Sequence, residues 1–206
     1  MKIVIISDTH NHQVATPECD VLIHCGDATN GGSLKEYSQF IDWFKEAKAK
    51  HKIYVPGNHD FGAQRDYGIV SSMMESINVN FLIDKELIID SVIFYGTPWC
   101  PQYGRWAFMP PDNVIRDYRE KIPNDVNVLV SHSPPYSILD LTLSGEKAGC
   151  KYLYDKIKKL PNLKINCFGH IHEAYGQKKI DDVLFINAAI SDFNKKIPNP
   201  ITIVEI

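Results

Sequence analysis

The chain has few cysteines and lacks any segment typical of a membrane anchor. Its 206 residues include five cysteines, an odd number, and none forms a C-x-x-C pair. This argues against a disulfide scaffold and favours a reducing compartment. No apolar stretch approaches the roughly 18 residues that span a bilayer, and the apolar run at 3–6 is too short for a signal peptide. We therefore expect a cytoplasmic protein with no membrane partner.

An excess of positive charge is also lacking. The formal net charge is −3, from 22 Lys and Arg against 25 Asp and Glu. Such a balance gives no general attraction to nucleic acid, so we expect no duplex nucleic-acid partner. Repeats, low-complexity tracts and Gly/Ser linkers are absent as well. A single domain over residues 1–206 is the simplest prediction for this length.

Apolar runs of strand length recur along the chain, and several are continuously apolar, as in strands covered on both faces. The predicted strands are 2–6, 21–25, 52–55, 80–83, 86–89, 92–95, 126–130, 164–168, 183–186 and 201–206. Helical spacing occupies 34–50, after a capping-box pair of Ser33 and Glu36, and also 112–121 and 147–160. This order predicts a layered α/β sandwich.

Five predicted strands end in polar clusters. The clusters are Ser7-Asp8-Thr9-His10, Gly26-Asp27, Gly57-Asn58-His59-Asp60, Ser131-His132-Ser133 and Gly169-His170-Ile171-His172. Strand ends on one side of a sheet converge, so these clusters are predicted to build one site. A lone Gly-Asp is ordinary turn chemistry, but five such clusters, in this order and each at a strand end, favour a metal site.

The residue types at these strand ends suit divalent metals. Seven candidate ligands offer carboxylate, amide or imidazole donors and no thiolate: Asp8, His10, Asp27, Asn58, His132, His170 and His172. That mixture favours Mn²⁺, Fe or Zn²⁺. Seven ligands are too many for one ion and suit two ions that share a carboxylate. Two ions roughly 3.5–4 Å apart can hold a hydroxide between them and clamp a phosphate for in-line attack.

The ordered motifs D8-T-H10, G26-D27, G57-N-H-D60, H132 and G169-H-I-H172 resemble the signature of the calcineurin-like metallophosphoesterase superfamily. Further segments resemble its class III cyclic-nucleotide-phosphodiesterase-like branch, which includes the brain-type metallophosphodiesterases. They are GTPWCP (96–101), GRWAF (104–108), SHSPPYSILD (131–140), FGHIHEAYG (168–176) and FINAA (185–189). The resemblance implies a four-layer α-β-β-α sandwich of two mixed β-sheets flanked by helices, with a dimetal site at the top.

The resemblance also implies a role for each residue. It puts Asp8, His10 and His172 on one metal, Asn58, His132 and His170 on the other, and Asp27 between them. Manganese is the expected metal, with iron or zinc as alternatives. His59 is expected to face the phosphate and protonate the leaving oxygen, since histidine titrates near neutral pH. Asp60 is expected to hold the His59 ring.

The aromatic segment at 99–109 is the best candidate for substrate contact. Trp99, Arg105 and Trp106 could stack an aryl group or base and contact phosphate. The alternative is that the aromatic side chains only pack the loop onto the sandwich. Outside the motifs, Glu173 is expected either to support the ligands or to face solvent, without being a ligand itself. Asn187 is expected to support the site, and His24 is expected to be a structural residue.

These features together predict a phosphodiesterase that attacks a small-molecule phosphate ester, for example a nucleotide, with a metal-bridging hydroxide. A phosphomonoesterase, including a protein phosphatase, would use the same core. A non-catalytic scaffold of the same fold is disfavoured because every ligand position is intact. A nuclease of the superfamily is disfavoured because the chain has neither a basic surface nor an added domain. A monomer and a homodimer both remain open.

Overall fold

The computed structural model describes residues 1–192, 194 and 196–206, in which eleven strands form two sheets. The first sheet has the order β11-β1-β2-β3-β4 and the second has the order β5-β6-β7-β8-β10-β9. The strands are β1 Lys2–Ile6, β2 Cys19–His24, β3 Ala49–Tyr54, β4 Val79–Phe81, β5 Lys85–Ile89, β6 Val92–Thr97, β7 Val128–Ser131, β8 Ile165–Phe168, β9 Gly176–Ile180, β10 Val183–Asn187 and β11 Thr202–Glu205.

Both sheets are mixed. In the first, β1 to β4 run parallel and β11 is antiparallel to β1. In the second, β6, β7, β8 and β10 run parallel, while β5 and β9 form antiparallel edges. The helices are α1 Leu34–Phe44, α2 Phe61–Arg65, α3 Tyr67–Glu75, α4 Asp112–Glu120 and α5 Lys151–Ile157, with a short 3-10 helix at His172–Ala174.

The layers arise because side chains along each strand point alternately to the two faces of its sheet. In β1, Ile3 and Ile5 join an apolar core with Phe94 of the second sheet, whereas Val4 and Ile6 belong to the cluster that contains the helices. Successive strand residues point to opposite faces, so each sheet buries one face against the other sheet and one against helices. The predicted four-layer α-β-β-α sandwich is thereby confirmed.

Several predicted boundaries were wrong. The helix predicted over 34–50 has the expected Ser33–Glu36 capping box but ends at Phe44. Ala49 instead pairs with Cys19, so residues 49 and 50 belong to β3. The helix predicted over 147–160 is confined to Lys151–Ile157. The first residues of that predicted span lie in a turn, where Leu141 bridges Lys147.

Three elements were not predicted. Helices α2 and α3 carry Gly62 and Gly68, and glycine weakens a helical pattern. Strand β9 is a charged edge strand, Gly-Gln-Lys-Lys-Ile, without apolar alternation, as is common at sheet edges. Among the described residues, no helix combines the length and the apolar character needed to cross a bilayer.

Candidate metal centre

The parallel strands of both sheets deliver their polar clusters to one end of the sandwich. Asp8 and His10 follow β1, Asp27 follows β2, and Asn58 and His59 follow β3. From the second sheet, β7 ends next to His132, and β8 is followed by a turn with His170 and His172. The structure brings all seven predicted ligand positions to this end, and each is buried or half-buried.

The backbone bends sharply at this end. Asp8, His10, Asp27 and His170 have φ between +46° and +70°, a left-handed conformation that is uncommon for residues with a Cβ and tends to cluster at functional sites. Gly169 lets the β8 turn approach β1, because a Cβ there would overlap the Asp8 carboxylate. The turns thus aim short polar side chains inward instead of continuing the strands.

One group of ligands consists of Asp8, His10 and His172, whose donor atoms all lie within 4.8 Å of one another. His172 Nε2 is 3.2 Å from Asp8 Oδ1 and 3.4 Å from His10 Nε2. Two ring nitrogens and a carboxylate oxygen therefore face the same small space, as ligands of one cation would.

The second group adjoins the first through Asp27. Its Oδ2 lies 3.9 Å from His10 Nε2, and its Oδ1 lies 3.4 Å from His132 Nε2. On the far side, His132 Nε2 is 3.0 Å from Asn58 Oδ1, and the rings of His132 and His170 are 5.0 Å apart. Asp27 thus stands between the two groups with one oxygen turned toward each.

Backbone carbonyls orient three of the imidazole rings. Nδ1 of His132 donates to the Cys25 carbonyl at 2.9 Å, and Nδ1 of His172 donates to the Asp192 carbonyl at 3.0 Å. His10 Nδ1 makes the same kind of bond to Thr29, at 3.3 Å. A carbonyl can only accept, so Nδ1 carries a proton and Nε2 is the nitrogen that points inward and is left to bind a cation. This is the usual arrangement of metal-binding histidines, and the donor set fits two divalent cations.

The electrostatics keep the carboxylates ionised. Burial alone would raise the pKa of Asp8, but hydrogen bonding and charge from His172 outweigh it and lower that pKa. The pKa of Asp27 is lowered in the same way by His132. Conversely, although burial acts to lower them, Asp27 raises the pKa of His132 to about 9 and Asp8 raises that of His172 to about 9. Asp8 and Asp27 are therefore ionised at neutral pH, and a cation bound at this site would replace the protons that His132 and His172 hold in its absence.

His59 lies at the edge of this cluster. Its Nε2 is 4.0 Å from Asp27 Oδ2, and its Nδ1 bonds the Asn30 carbonyl at 2.9 Å. The expected contact between Asp60 and the His59 ring is therefore replaced by a backbone contact. The Asp60 carboxylate instead accepts from the backbone N–H of Gly57 at 2.7 Å and of Thr29 at 3.0 Å. Asp60 thus joins the loops after β2 and β3, and burial with the Asp27 charge raises its pKa to about 6.

The aromatic residues at 99–109 divide into two environments. Trp106 is 37% exposed, and its ring centroid lies 4.4 Å from that of His59; its neighbour Arg105 is exposed. Trp99 is only 9% exposed, stacks on Tyr118 at 3.7 Å and donates to Asp84 at 2.7 Å. The structure therefore places Trp106 beside the site and leaves its neighbour Arg105 exposed, whereas Trp99 packs into the core and is not positioned as the predicted substrate contact.

Several supporting contacts were not predicted. The carbonyl groups that orient the histidines have no side-chain signature, so no pattern could reveal them. Ser191 Oγ donates to the Asp8 carbonyl. The Cys100 thiol lies within 4.8 Å of donor atoms of His132 and His170, although cysteine was expected to be absent here. Burial raises the pKa of Cys100 well above its ordinary value, and its thiol donates to Pro98.

Other expectations outside the motifs are met by specific contacts. Asn187 donates to the Ile171 carbonyl at 2.8 Å, which supports the turn that carries His170 and His172. Glu173 accepts from the Leu143 N–H at 2.7 Å and does not join the ligand groups. His24 is buried, and its Nε2 lies 2.9 Å from the Thr9 hydroxyl.

Comparison with known proteins agrees with this geometry. Residues 1–174 match the calcineurin-like phosphoesterase family. Human metallophosphoesterase domain-containing protein 1 is 27% identical over 232 residues, covering 100% of this chain and 71% of its own. A Nostoc protein named 3′,5′-cyclic-nucleotide phosphodiesterase is 24% identical over 170 residues, covering 79% of this chain and 59% of its own.

A solved structure shares the fold at low sequence identity. The protein TT1561 of Thermus thermophilus superposes with a TM-score of 0.67 at 14% identity, covering 91% of this chain and 88% of its own. The family match spans the motif residues and the elements that carry them. The chain therefore belongs to the calcineurin-like phosphoesterase family and is a metal-dependent phosphoester hydrolase.

Proposed function

We propose that the protein is a manganese-dependent phosphodiesterase that acts on a small-molecule diester. The observation that carries the proposal is the convergence of carbonyl-oriented histidine nitrogens on two ionised carboxylates. Hard carboxylate oxygens with neutral imidazole suit Mn²⁺, and Fe or Zn²⁺ would fit the same ligands.

The residues divide between two cations as the two ligand groups suggest. One would be held by Asp8, His10 and His172, the other by Asn58, His132 and His170, with Asp27 bridging them. When bound, such a pair supplies Lewis-acid activation of water and charge stabilisation of the phosphoryl oxygens. The remaining chemistry, orientation and proton transfer, falls to the side chains around the ligands.

His59 is the proposed proton donor to the leaving group. A water oxygen bonds to phosphorus as the bond to the leaving oxygen breaks with its electron pair. The leaving oxygen takes the proton of His59, and the two protons of the water return to His59 and to solvent. The Asn30 carbonyl fixes Nδ1 of His59 and thereby leaves Nε2 facing Asp27. Trp106 packs beside the ring and limits its rotation.

A preference for diesters is supported by the segments that resemble the class III branch and by the Nostoc relative named as a cyclic-nucleotide phosphodiesterase. Trp106 is proposed to contact the departing group because its ring lies beside that of His59, and Arg105 is proposed to join it because it is exposed and adjacent in sequence. Asp60 is proposed to act indirectly, by holding the loops of Asn58 and Thr29.

The proposed setting is the cytoplasm, where the five cysteines, all buried and unpaired, would stay reduced. A small-molecule phosphate ester such as a nucleotide is the proposed partner. A monomer or homodimer is expected, and size-exclusion chromatography with light scattering would distinguish them.

The test compares two substrates on one metal-controlled preparation. Protein stripped with a chelator and reloaded with Mn²⁺, Fe²⁺ or Zn²⁺ is assayed with bis(p-nitrophenyl) phosphate and p-nitrophenyl phosphate. We expect the stripped protein to be inactive and Mn²⁺ to restore the highest turnover, with preference for the diester. Preference for the monoester would make the protein a phosphatase instead. No turnover of either substrate with two metals bound would contradict the proposal.

A further inference from the structure

We infer that a cavity beside His170 holds the ester group that stays on phosphorus after hydrolysis, and that Tyr103 makes this cavity selective for a planar aromatic group. The inference rests on the proposed diester hydrolysis and extends it by assigning the second arm of the substrate. A monoester has no such arm, so the cavity would have no role in phosphatase chemistry.

The cavity has a volume of about 800 Å³ and opens next to the buried ligands. Its lining includes Pro101 and Tyr103 from the aromatic loop, Lys147 and Gly149, and the candidate ligand His170, through which the cavity adjoins the metal centre. This volume is within the range of small-molecule sites, about 300–1,000 Å³. An ester group attached to a phosphorus atom at the metal centre would therefore find space on the His170 side.

Tyr103 offers the aromatic surface. It is 64% exposed, although it stands beside a buried cluster, and its ring centroid lies 5.8 Å from that of His170 with the planes at 44°. An exposed large aromatic side chain next to a cavity is available to stack on a planar ligand. Aromatic stacking is also tolerant of the exact ring, because every base or aryl group has a π-face.

The part of the cavity wall at 142–147 is held in place by hydrogen bonds. Residues 141–147 form a tight reversal in which Leu141 bridges Lys147 and the Thr142 N–H donates to the Glu146 carbonyl at 2.9 Å. The Leu143 N–H donates to Glu173 at 2.7 Å. Because Glu173 directly follows His172, this contact fixes the wall relative to the ligand turn. This part of the wall is therefore tied to the turn that carries His170 and His172.

The order of residues across the site separates the two arms of a diester. His59 faces Oδ2 of Asp27, His132 faces Oδ1 of Asp27, and the His170 ring centroid lies 5.0 Å from that of His132. The leaving oxygen must face His59 to receive its proton, so the leaving group occupies the His59 side, next to Trp106. The group in the cavity next to Tyr103 is on the other side and is the one retained.

Two diesters with the same leaving group isolate the retained arm. p-Nitrophenyl phenyl phosphate and methyl p-nitrophenyl phosphate both release p-nitrophenol, but they retain a phenyl or a methyl group. The measured quantity is the ratio of kcat/KM for the phenyl over the methyl diester. We expect Tyr103→Ala to lower this ratio about three- to tenfold, the loss of one aromatic contact. Tyr103→Phe keeps the ring and should keep the ratio.

Two further variants act as controls. Tyr67→Ala removes an exposed tyrosine of α3 in a different part of the molecule and should leave the ratio unchanged. Trp106→Ala should lower kcat/KM for both diesters by the same factor, because both have the same leaving group. A lower ratio in Trp106→Ala with an unchanged ratio in Tyr103→Ala would overturn the inference and place the retained group beside Trp106.

Binding of the products gives a readout that does not depend on turnover. Phenyl phosphate and methyl phosphate are titrated into Mn²⁺-loaded wild type and Tyr103→Ala by calorimetry. The preference for phenyl phosphate should fall in Tyr103→Ala, and an unchanged preference would sink the inference. Hydrolysis of monoesters only would refute the proposed diester function and, with it, the assignment of a retained group, whereas diester hydrolysis with an unchanged preference in Tyr103→Ala would refute the inference alone.

Discussion

The metal centre and the aromatic loop at 99–109 lie side by side, yet they are built in opposite ways. The seven candidate ligands lie in the turns that follow five strands, and three of their imidazole rings are oriented by backbone carbonyls, as His132 is by that of Cys25. In the loop, two tryptophans seven residues apart have different surroundings, since Trp99 stacks in the core and Trp106 stands over His59. Strand geometry determines the first region, and loop packing determines the second.

This difference separates chemistry from specificity. A buried cluster on strand ends holds its donors rigidly, as a metal centre requires. A loop on the surface can change its side chains without disturbing that cluster. The comparison predicts that substitutions in the cluster abolish turnover and that substitutions in the exposed part of the loop alter substrate preference.

The largest loss of turnover is expected from Asp27→Ala. Asp27 faces both ligand groups, so its loss should lower turnover by more than the roughly 10²–10⁴-fold that an acid–base residue contributes. Metal content measured by mass spectrometry should fall below two ions per chain. Asp20→Ala, at an exposed ion pair with Lys50, is the matched control and should retain both metals and full rate. Turnover like that of the wild type in Asp27→Ala would refute the dimetal assignment.

His59→Asn should lower the rate while leaving the metals in place. We expect a loss of about 10²–10⁴-fold for a diester with an alkyl leaving group, and a smaller loss for p-nitrophenol, which departs without protonation. His51→Asn, a half-buried histidine of β3, serves as the control. Equal losses for both leaving groups would remove His59 from proton transfer, and loss of a metal would make it a ligand.

Sequence patterns were most informative where position along a strand decides position in space. The five polar clusters could be assigned to one end of the sandwich because each follows an apolar run, and the structure brings them together there. Sequence patterns were least informative where a backbone atom orients a side chain of the site. The carbonyl of Asn30, and not Asp60, orients the His59 ring, and no residue type marks a carbonyl for that role.

The aromatic loop shows a second reason why sequence-based prediction of the site was incomplete. Trp99 and Trp106 are the same residue type in one segment, so composition cannot tell which of them packs. What decides is the presence of Tyr118 on α4 and of Asp84 before β5, both distant in sequence from the loop and both in contact with Trp99. Such long-range partners are outside any local pattern. For the same reason, the sequence could not show that Pro101 and Tyr103 line the same cavity as Lys147 and Gly149.

The two tryptophans give the next test of the comparison. Trp99→Ala should lower the free energy of unfolding by about 3–5 kcal/mol, because it leaves a cavity against Tyr118 and removes the partner of Asp84. Trp106→Ala should change stability by less than about 1 kcal/mol, since it is partly exposed. Urea unfolding of the two metal-free variants and of the metal-free wild type measures these changes in the free energy of unfolding. Equal destabilisation would show that the loop packs as one unit.

The smallest effect is expected at Glu36, which supports the site from α1. Its carboxylate accepts from the backbone N–H of Asn30 at 2.9 Å and of Ser33 at 2.9 Å, so it braces the segment whose Asn30 carbonyl holds His59. Burial alone would raise the pKa of Glu36, but hydrogen bonds from Asn11, Ser33 and Asn30 outweigh it and lower that pKa to about 2.

Because the pKa of Glu36 is lowered in the folded protein, the stabilisation by its carboxylate depends on pH. The folded-state pKa lies below the unfolded value of about 4.3, so the stabilisation is present above pH 4.3 and is lost as the pH falls towards 2. Glu36→Gln should therefore cost about 1 kcal/mol at pH 7 and less at pH 3, measured by urea unfolding. Glu46→Gln, exposed just after α1, is the control. A cost that is the same at both pH values would mean that Glu36 acts through the shape of its side chain and that its charge does not hold the His59 loop.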